Sequence, residues 1–229
     1  MIRRDYILRM VSEFFEALSR IRSLQKGQKW GEAALAADQE FQRLISGGAE
    51  LAIRLTETEL LARLIGGESS LAVRDKTLML TALLKEQGDI AAGQSQIESS
   101  TTFYLKGLHL LLGVLAHEGD AEFPDFVPRV EMFLTALSDV TLPVNTQAML
   151  MRHYEQVGEF AKAEDALFSI LEAKAENTGV LDFGISFYRR LQGRSDEALL
   201  AGNLPRAELE AGLAQLLTRK QAQASRLSA

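Results

Sequence analysis

Three histidines, His109, His117 and His153, are the side chains of this 229-residue chain best suited to proton transfer or metal ligation near neutral pH. His109 and His117 stand eight positions apart, so on a helix they share a face but lie about 12 Å apart along the axis, too far to hold one metal. His117 beside Glu118 reads as a helix-end residue whose cationic form suits the dipole there. No H-E-x-x-H motif and no pair of E-x-x-H motifs occurs. Cysteine is absent, which excludes disulfides, thiolate zinc sites and a cysteine nucleophile. Gly47-Gly48 and Gly66-Gly67 lack the Lys-Ser/Thr of a phosphate loop, and no G-x-S-x-G elbow places a serine nucleophile. Glu118, Asp120, Glu122 and Asp125 gather in one loop, where an oxygen-ligated cation is conceivable. Their spacing is not that of a calcium loop, and they read as a solvated acidic loop. The sequence therefore points to no catalytic residue, no metal and no cofactor.

The elements that would position such groups are helical. Hydrophobic residues make up 47% of the chain and aromatics only 7%, a balance that suits helices packing through Leu and Ala. No proline precedes Pro124, so nothing before it forbids long helices. The net charge of −6 is uneven: residues 51–175 carry 10 basic and 18 acidic groups, while the flanking segments are each near +1. No block is basic enough for a phosphate footprint, and nucleic acid is not an expected partner. The N-terminus is Arg-rich and amphipathic, but Asp5, Glu13 and Glu16 interrupt it and no cleavage site follows, so it reads as a structural helix of a cytoplasmic protein. Phe103 to Ala116, the greasiest segment, contains Lys106 and His109 and is too short and polar to span a bilayer.

Ile7, Met10, Val11, Phe14, Leu18, Ile21 and Leu24 follow the helix period over residues 3–25, and Lys26-Gly27-Gln28 breaks it. A second helix over 29–46 aligns Trp30, Ala33, Ala37, Phe41 and Leu44, with Gly47-Gly48 expected to end it. Thr56-x-x-Glu59 is the pattern of a capping box. The loop from Gly66 to Ser70 is the expected boundary between an N-terminal helical segment, 1–70, and a second region, 71–220, before a frayed tail, 221–229. In the second region turns are expected near Gly88, Gly119, Gly158 and Gly193, an interval of roughly 35 residues. A terminal helix is expected to be capped by Asn203, with Pro205 in its first turn.

The clearest hairpin carries Leu150, Tyr154, Gly158, Phe160, Ala163 and Leu167. Its spacing, Y-x3-G-x-F-x2-A-x3-L, resembles the tetratricopeptide (TPR) helical hairpin. The resemblance implies an all-α stack of antiparallel helix hairpins, with Ala163 as the small residue at a close helix crossing. It also implies a concave face formed by the first helices of successive hairpins. Groove positions carried over from that family fall on Asn145, Arg152 and Gln156, and in the next hairpin on Ser186, Arg189 and Arg190. Two or three arginines there would suit a carboxylate. The TPR carboxylate clamp is not reproduced in full.

The opening Asp5-Tyr6-Ile7-Leu8-Arg9-Met10-Val11 is similar to that of an uncharacterised bacterial family, a likeness that would cover nearly the whole chain and implies no activity. The function expected from all this is a non-enzymatic interaction scaffold or adaptor that binds an unknown protein or peptide. One alternative is a peripheral membrane or oligomerisation role for the N-terminal helix: residues 1–30 hold 7 basic and 3 acidic groups beside Phe14 and Phe15. The other is an enzyme with an unrecognised polar pocket. Helical periodicity throughout predicts a far-UV circular dichroism spectrum of an almost purely helical protein, and strand content above about a tenth would contradict the fold class.

Overall fold

The computed structural model describes residues 2–66, 69–118, 123–174 and 177–227. Those residues form helices and no strand, so the protein is all-α. The chain divides into two compact units, Met1–Thr141 and Leu142–Ala229. The boundary expected near residue 70 falls inside the first unit, because the helix that follows it packs against those that precede it.

In the first unit, α1 (Ile2–Lys26) and α2 (Trp30–Ile45) are joined by a short turn in which Gln28 takes a left-handed backbone. Phe14, Leu18 and Ile21 bury one row of α1. The end of α2 corrects the expectation for Gly47-Gly48: Ser46 takes the left-handed capping position, at φ 53°. Short helices α3 (Ala49–Arg54) and α4 (Glu57–Ile65) follow. The Thr56–Glu59 capping box is fully formed: the Thr56 N–H donates to the Glu59 carboxylate at 2.8 Å, and the Glu59 N–H donates to the Thr56 hydroxyl at 3.3 Å. Two long helices, α5 (Ser70–Gly93) and α6 (Ile97–Glu118), make the centre of the unit, with α7 (Val130–Ala136) against α6. Each residue from Thr77 to Leu84 is buried, as befits a helix covered by α1, α2, α4 and α6.

The turn expected at Gly88 does not form. Helix α5 runs through it, and the bend comes at Gln94–Gln96, where Ser95 takes φ 62°. Gly88 serves packing instead: a Cβ there would stand 2.4 Å from the Tyr104 ring. The regular interval of 35 residues therefore does not hold in the first unit. Pro124 and Pro128 precede α7, which begins at Val130. Gly67 and the expected turn at Gly119 lie outside the described residues, as do Asp120 and Glu122 of the acidic loop.

The second unit is built from α8 (Val144–Val157), α9 (Phe160–Ala173), α10 (Thr178–Gln192), α11 (Asp196–Ala201) and α12 (Arg206–Leu227). Helices α8 and α9 pack along their lengths, as do α10 and α12. Gly158 supplies the left-handed turn between α8 and α9 at φ 80°, and the Gly158 and Glu159 N–H groups both donate to the Tyr154 carbonyl. Leu150, Tyr154, Phe160, Ala163 and Leu167 are all buried. The sequence did not reveal α11, which is capped by Ser195 between α10 and α12. Asn203 takes a left-handed backbone at φ 56° after α11. Pro205 immediately precedes α12, which remains helical through residues 221–227, the segment expected to fray.

Ala163 is fully enclosed. Replacing it with Leu forces larger atoms into a closed helix contact, which costs about 1–3 kcal/mol. The check is chemical denaturation of Ala163→Leu against the parent. An unchanged midpoint would contradict the packing described.

Candidate functional site

Within the second unit, a groove of about 410 Å³ runs between α8 and α10. Helix α8 supplies Ala148, Met151, Arg152, Glu155 and Gln156, spaced three and four apart along one stripe. From the other side come Phe183, Arg190 and, just past the end of α10, Arg194. Met151 is buried, while Phe183 is 39% exposed, so the groove has an apolar floor with an accessible ring.

Arg190 bridges the two helices. Its Nε and Nη2 donate to the two oxygens of the Glu155 carboxylate, each at 2.7 Å. This bidentate pair fixes the guanidinium and holds its pKa above the ordinary arginine value. Among the described residues no acidic side chain pairs with Arg152 or Arg194. The groove thus combines one arginine committed to the scaffold, two guanidinium groups without an ionic partner, and an apolar surface between them.

Of the groove positions read from the sequence, Arg152, Gln156 and Arg190 come together here. Asn145, Ser186 and Arg189 are exposed and lie outside the lining, and the Ser186 hydroxyl donates to the Asp182 carbonyl of its own helix. Glu155, Phe183 and Arg194 were missed. A signal existed for two of them: Glu155 follows Arg152 by three and Phe183 precedes Arg190 by seven, spacings that share a helix face, whereas Arg194 lies beyond the end of α10.

The remaining candidates for chemistry are engaged in the scaffold. His109 Nδ1 lies 2.6 Å from Glu57 Oε1, tying α6 to the start of α4. Burial pushes the Glu57 carboxyl up, but hydrogen bonds from His109 and from its own backbone N–H, with the charges of His109 and Lys106, outweigh it and leave the group below its ordinary value. His117 bonds the Gly113 carbonyl one turn back, and His153 stacks at a tilt beside Tyr154. The buried Lys106 donates to the carbonyls of Ala52 and Ile53, at 3.0 and 2.7 Å, and to that of Leu55. Its ammonium therefore closes the C-terminal end of α3, where a cation complements the exposed carbonyls. Burial lowers its pKa, opposed by the charges of Glu57 and Glu59. Among the described residues, no group of three or more His, Asp or Glu is arranged to hold a metal, and no helix is long and apolar enough to cross a membrane.

Behind the groove, Tyr188 of α10 is fully buried, and its hydroxyl donates to Glu164 of α9 at 2.5 Å. Burial raises the Glu164 carboxyl, and the charges of Glu208 and Asp165 add to it, against the hydrogen bond from Tyr188.

A family model described as a family of unknown function (DUF6483) matches residues 1–221. No curated protein and no solved structure matches the chain.

Because its folded pKa is raised above the ordinary 4.5, Glu164 contributes stability below that value that is lost as pH rises through its folded pKa. Gln at this position still accepts from Tyr188 and does not titrate. Urea denaturation of Glu164→Gln should show its stability relative to the parent rising from pH 5 to pH 8. A pH-independent difference would show that Glu164 has the same pKa folded and unfolded.

Proposed function

We propose that this chain, which belongs to the DUF6483 family of unknown function, is a non-enzymatic interaction adaptor whose groove between α8 and α10 takes an acidic, partly apolar segment of a protein partner. The observation that carries this reading is the presence of Arg152 and Arg194, without acidic partners among the described residues, over the surface of Met151 and Phe183. A bare guanidinium presents several donors in a rigid fork that suits a carboxylate. The exposed ring of Phe183 gives apolar side chains between the carboxylates somewhere to go. The TPR-like reading of the α8–α9 and α10–α12 hairpins supports the same face, since α8 and α10 are the first helices of the two pairs and would line the concave side.

The reading places no reaction in this groove. Its one carboxylate, Glu155, is occupied by Arg190, and no histidine lines it. A catalytic role would need a group that exchanges protons or attacks a substrate. The arginines here do neither, because they stay charged at any physiological pH.

The test uses an array of short peptides that differ in Glu, Asp, Leu and Phe content, followed by fluorescence anisotropy with the tightest binder. Replacing Arg152 and Arg194 together with Ala should weaken binding at least tenfold to a hundredfold, because a lost charged hydrogen bond costs about 1.5–3 kcal/mol. The helical circular dichroism signal should persist, since neither guanidinium has a structural ion pair among the described residues. Undiminished affinity in the double variant, or a preference for basic peptides, would contradict the reading.

A further inference from the structure

The groove between α8 and α10 has a direction. Helix α8 turns back into α9 at Gly158, and Lys162 on α9 lies 5.4 Å from the ring of Tyr154 on α8, each four residues from that turn. Helix α9 in turn runs antiparallel to α10. A Cβ on Gly184 would stand 3.1 Å from Leu167, and four residues further along α10 Tyr188 bonds Glu164, three residues back along α9. Helices α8 and α10, each antiparallel to α9, therefore run the same way. Their lining residues stay in step: Ala148 precedes Glu155 by seven, Phe183 precedes Arg190 by seven, and Glu155 and Arg190 are bonded to each other.

This register sorts the lining by chemistry. Ala148 and Phe183 share the level nearest the start of the two helices, with the buried Met151 next to them, and no lining residue at that level is charged. Arg152 follows four residues along α8, about 6 Å further by helix rise. The Glu155–Arg190 pair crosses the groove about 10 Å from the apolar level and leaves no net charge there. Arg194 lies beyond it, about 15 Å from the apolar level. Both guanidinium groups without an acidic partner among the described residues thus lie on the same side of the apolar level. A volume of about 410 Å³ spread over that length leaves a cross-section under about 30 Å², against roughly 80 Å² or more for an α-helix.

Resting on the reading of this groove as a site for an acidic segment, we infer that its occupant is an extended stretch of a partner chain with a large apolar residue at one end and two carboxylates on one side of it, about two and about five residues away. An extended chain advances about 3.3 Å per residue, which matches those intervals to the levels of Arg152 and Arg194. A carboxylate three residues from the apolar anchor meets Arg190, whose fork Glu155 already fills. A fatty acid also joins an apolar body to a carboxylate, but its single charge serves only one of two arginines roughly 9 Å apart along the groove.

Three hexapeptides of one composition, acetylated and amidated so that their ends carry no charge, test this by NMR titration of the full chain up to about 5 mM peptide. They are Leu-Ser-Glu-Ser-Ser-Glu, its reverse, and Glu-Ser-Leu-Ser-Glu-Ser, in which the acids flank the leucine. One of the two end-anchored orders should bind at least about tenfold more tightly than the flanked peptide. Phe183→Ala should bring the two within about twofold of each other with unchanged helical circular dichroism, whereas Phe183→Leu, which keeps an apolar seat, should retain the preference. Equal binding of all three peptides to the parent chain leaves the groove an acidic-segment site and overturns the inference. So does a preference that survives Phe183→Ala, and so does decanoate binding more tightly than the best peptide, which would make the occupant a small amphiphile. Resonances of Arg152 and Arg194 that move with none of the peptides would overturn the acidic-segment reading and the inference together.

Discussion

In the second unit, Tyr188 is enclosed where α9, α10 and α12 meet, and its ring and hydroxyl set how closely they approach. Its hydroxyl donates to Glu164 on α9, and Gly212 on α12 is bare where it faces that hydroxyl, so that a Cβ there would stand 2.4 Å from it. A buried tyrosine hydroxyl without an acceptor would cost about 1–3 kcal/mol, so the carboxylate is retained despite its own burial penalty. Because α8 packs on α9, the Tyr188–Glu164 bond also fixes α10 relative to α8 and thereby the width of the groove between them. The Arg190–Glu155 pair then pins the same two helices from the solvent side.

The first unit answers the same problem with a cation. Helix α3 is only six residues long and ends in carbonyls that the helix itself leaves without partners. Lys106 reaches them from α6, and His109, one turn further on, holds Glu57 at the start of α4. The two residues on one face of α6 thus secure the end of one short helix and the beginning of the next. This explains why polar residues occur inside the most hydrophobic segment of the sequence.

Much of this was legible before any coordinates. The helix period placed α1 and α2 almost to the residue, and the Thr56–Glu59 capping box and the left-handed turn at Gly158 formed as their residue types required. Gly88 misled because glycine has two uses: it permits a turn, and it makes room for a ring. Only the distant Tyr104 decides between them. The short helix α11 escaped notice because six residues are too few to display a period. Arg152, Gln156 and Arg190, which hairpin register had put on one face, line the groove, whereas the pairing of Arg190 with Glu155 joins residues 35 apart and is invisible without the packing of α8 on its neighbours.

Under the proposed function, Arg152 and Arg194 take an acidic ligand while Arg190 belongs to the scaffold. Arginine side-chain NMR separates these roles directly, by following the Nε–Hε resonances of the full chain as an acidic peptide containing Leu is added. The account predicts progressive, saturable shifts at Arg152 and Arg194. It also predicts that Arg190 exchanges slowly with water before and after addition, because Glu155 holds it throughout. Shifts confined to residues of the first unit, or an Arg190 that leaves Glu155 to meet the peptide while Arg152 stays unmoved, would contradict it.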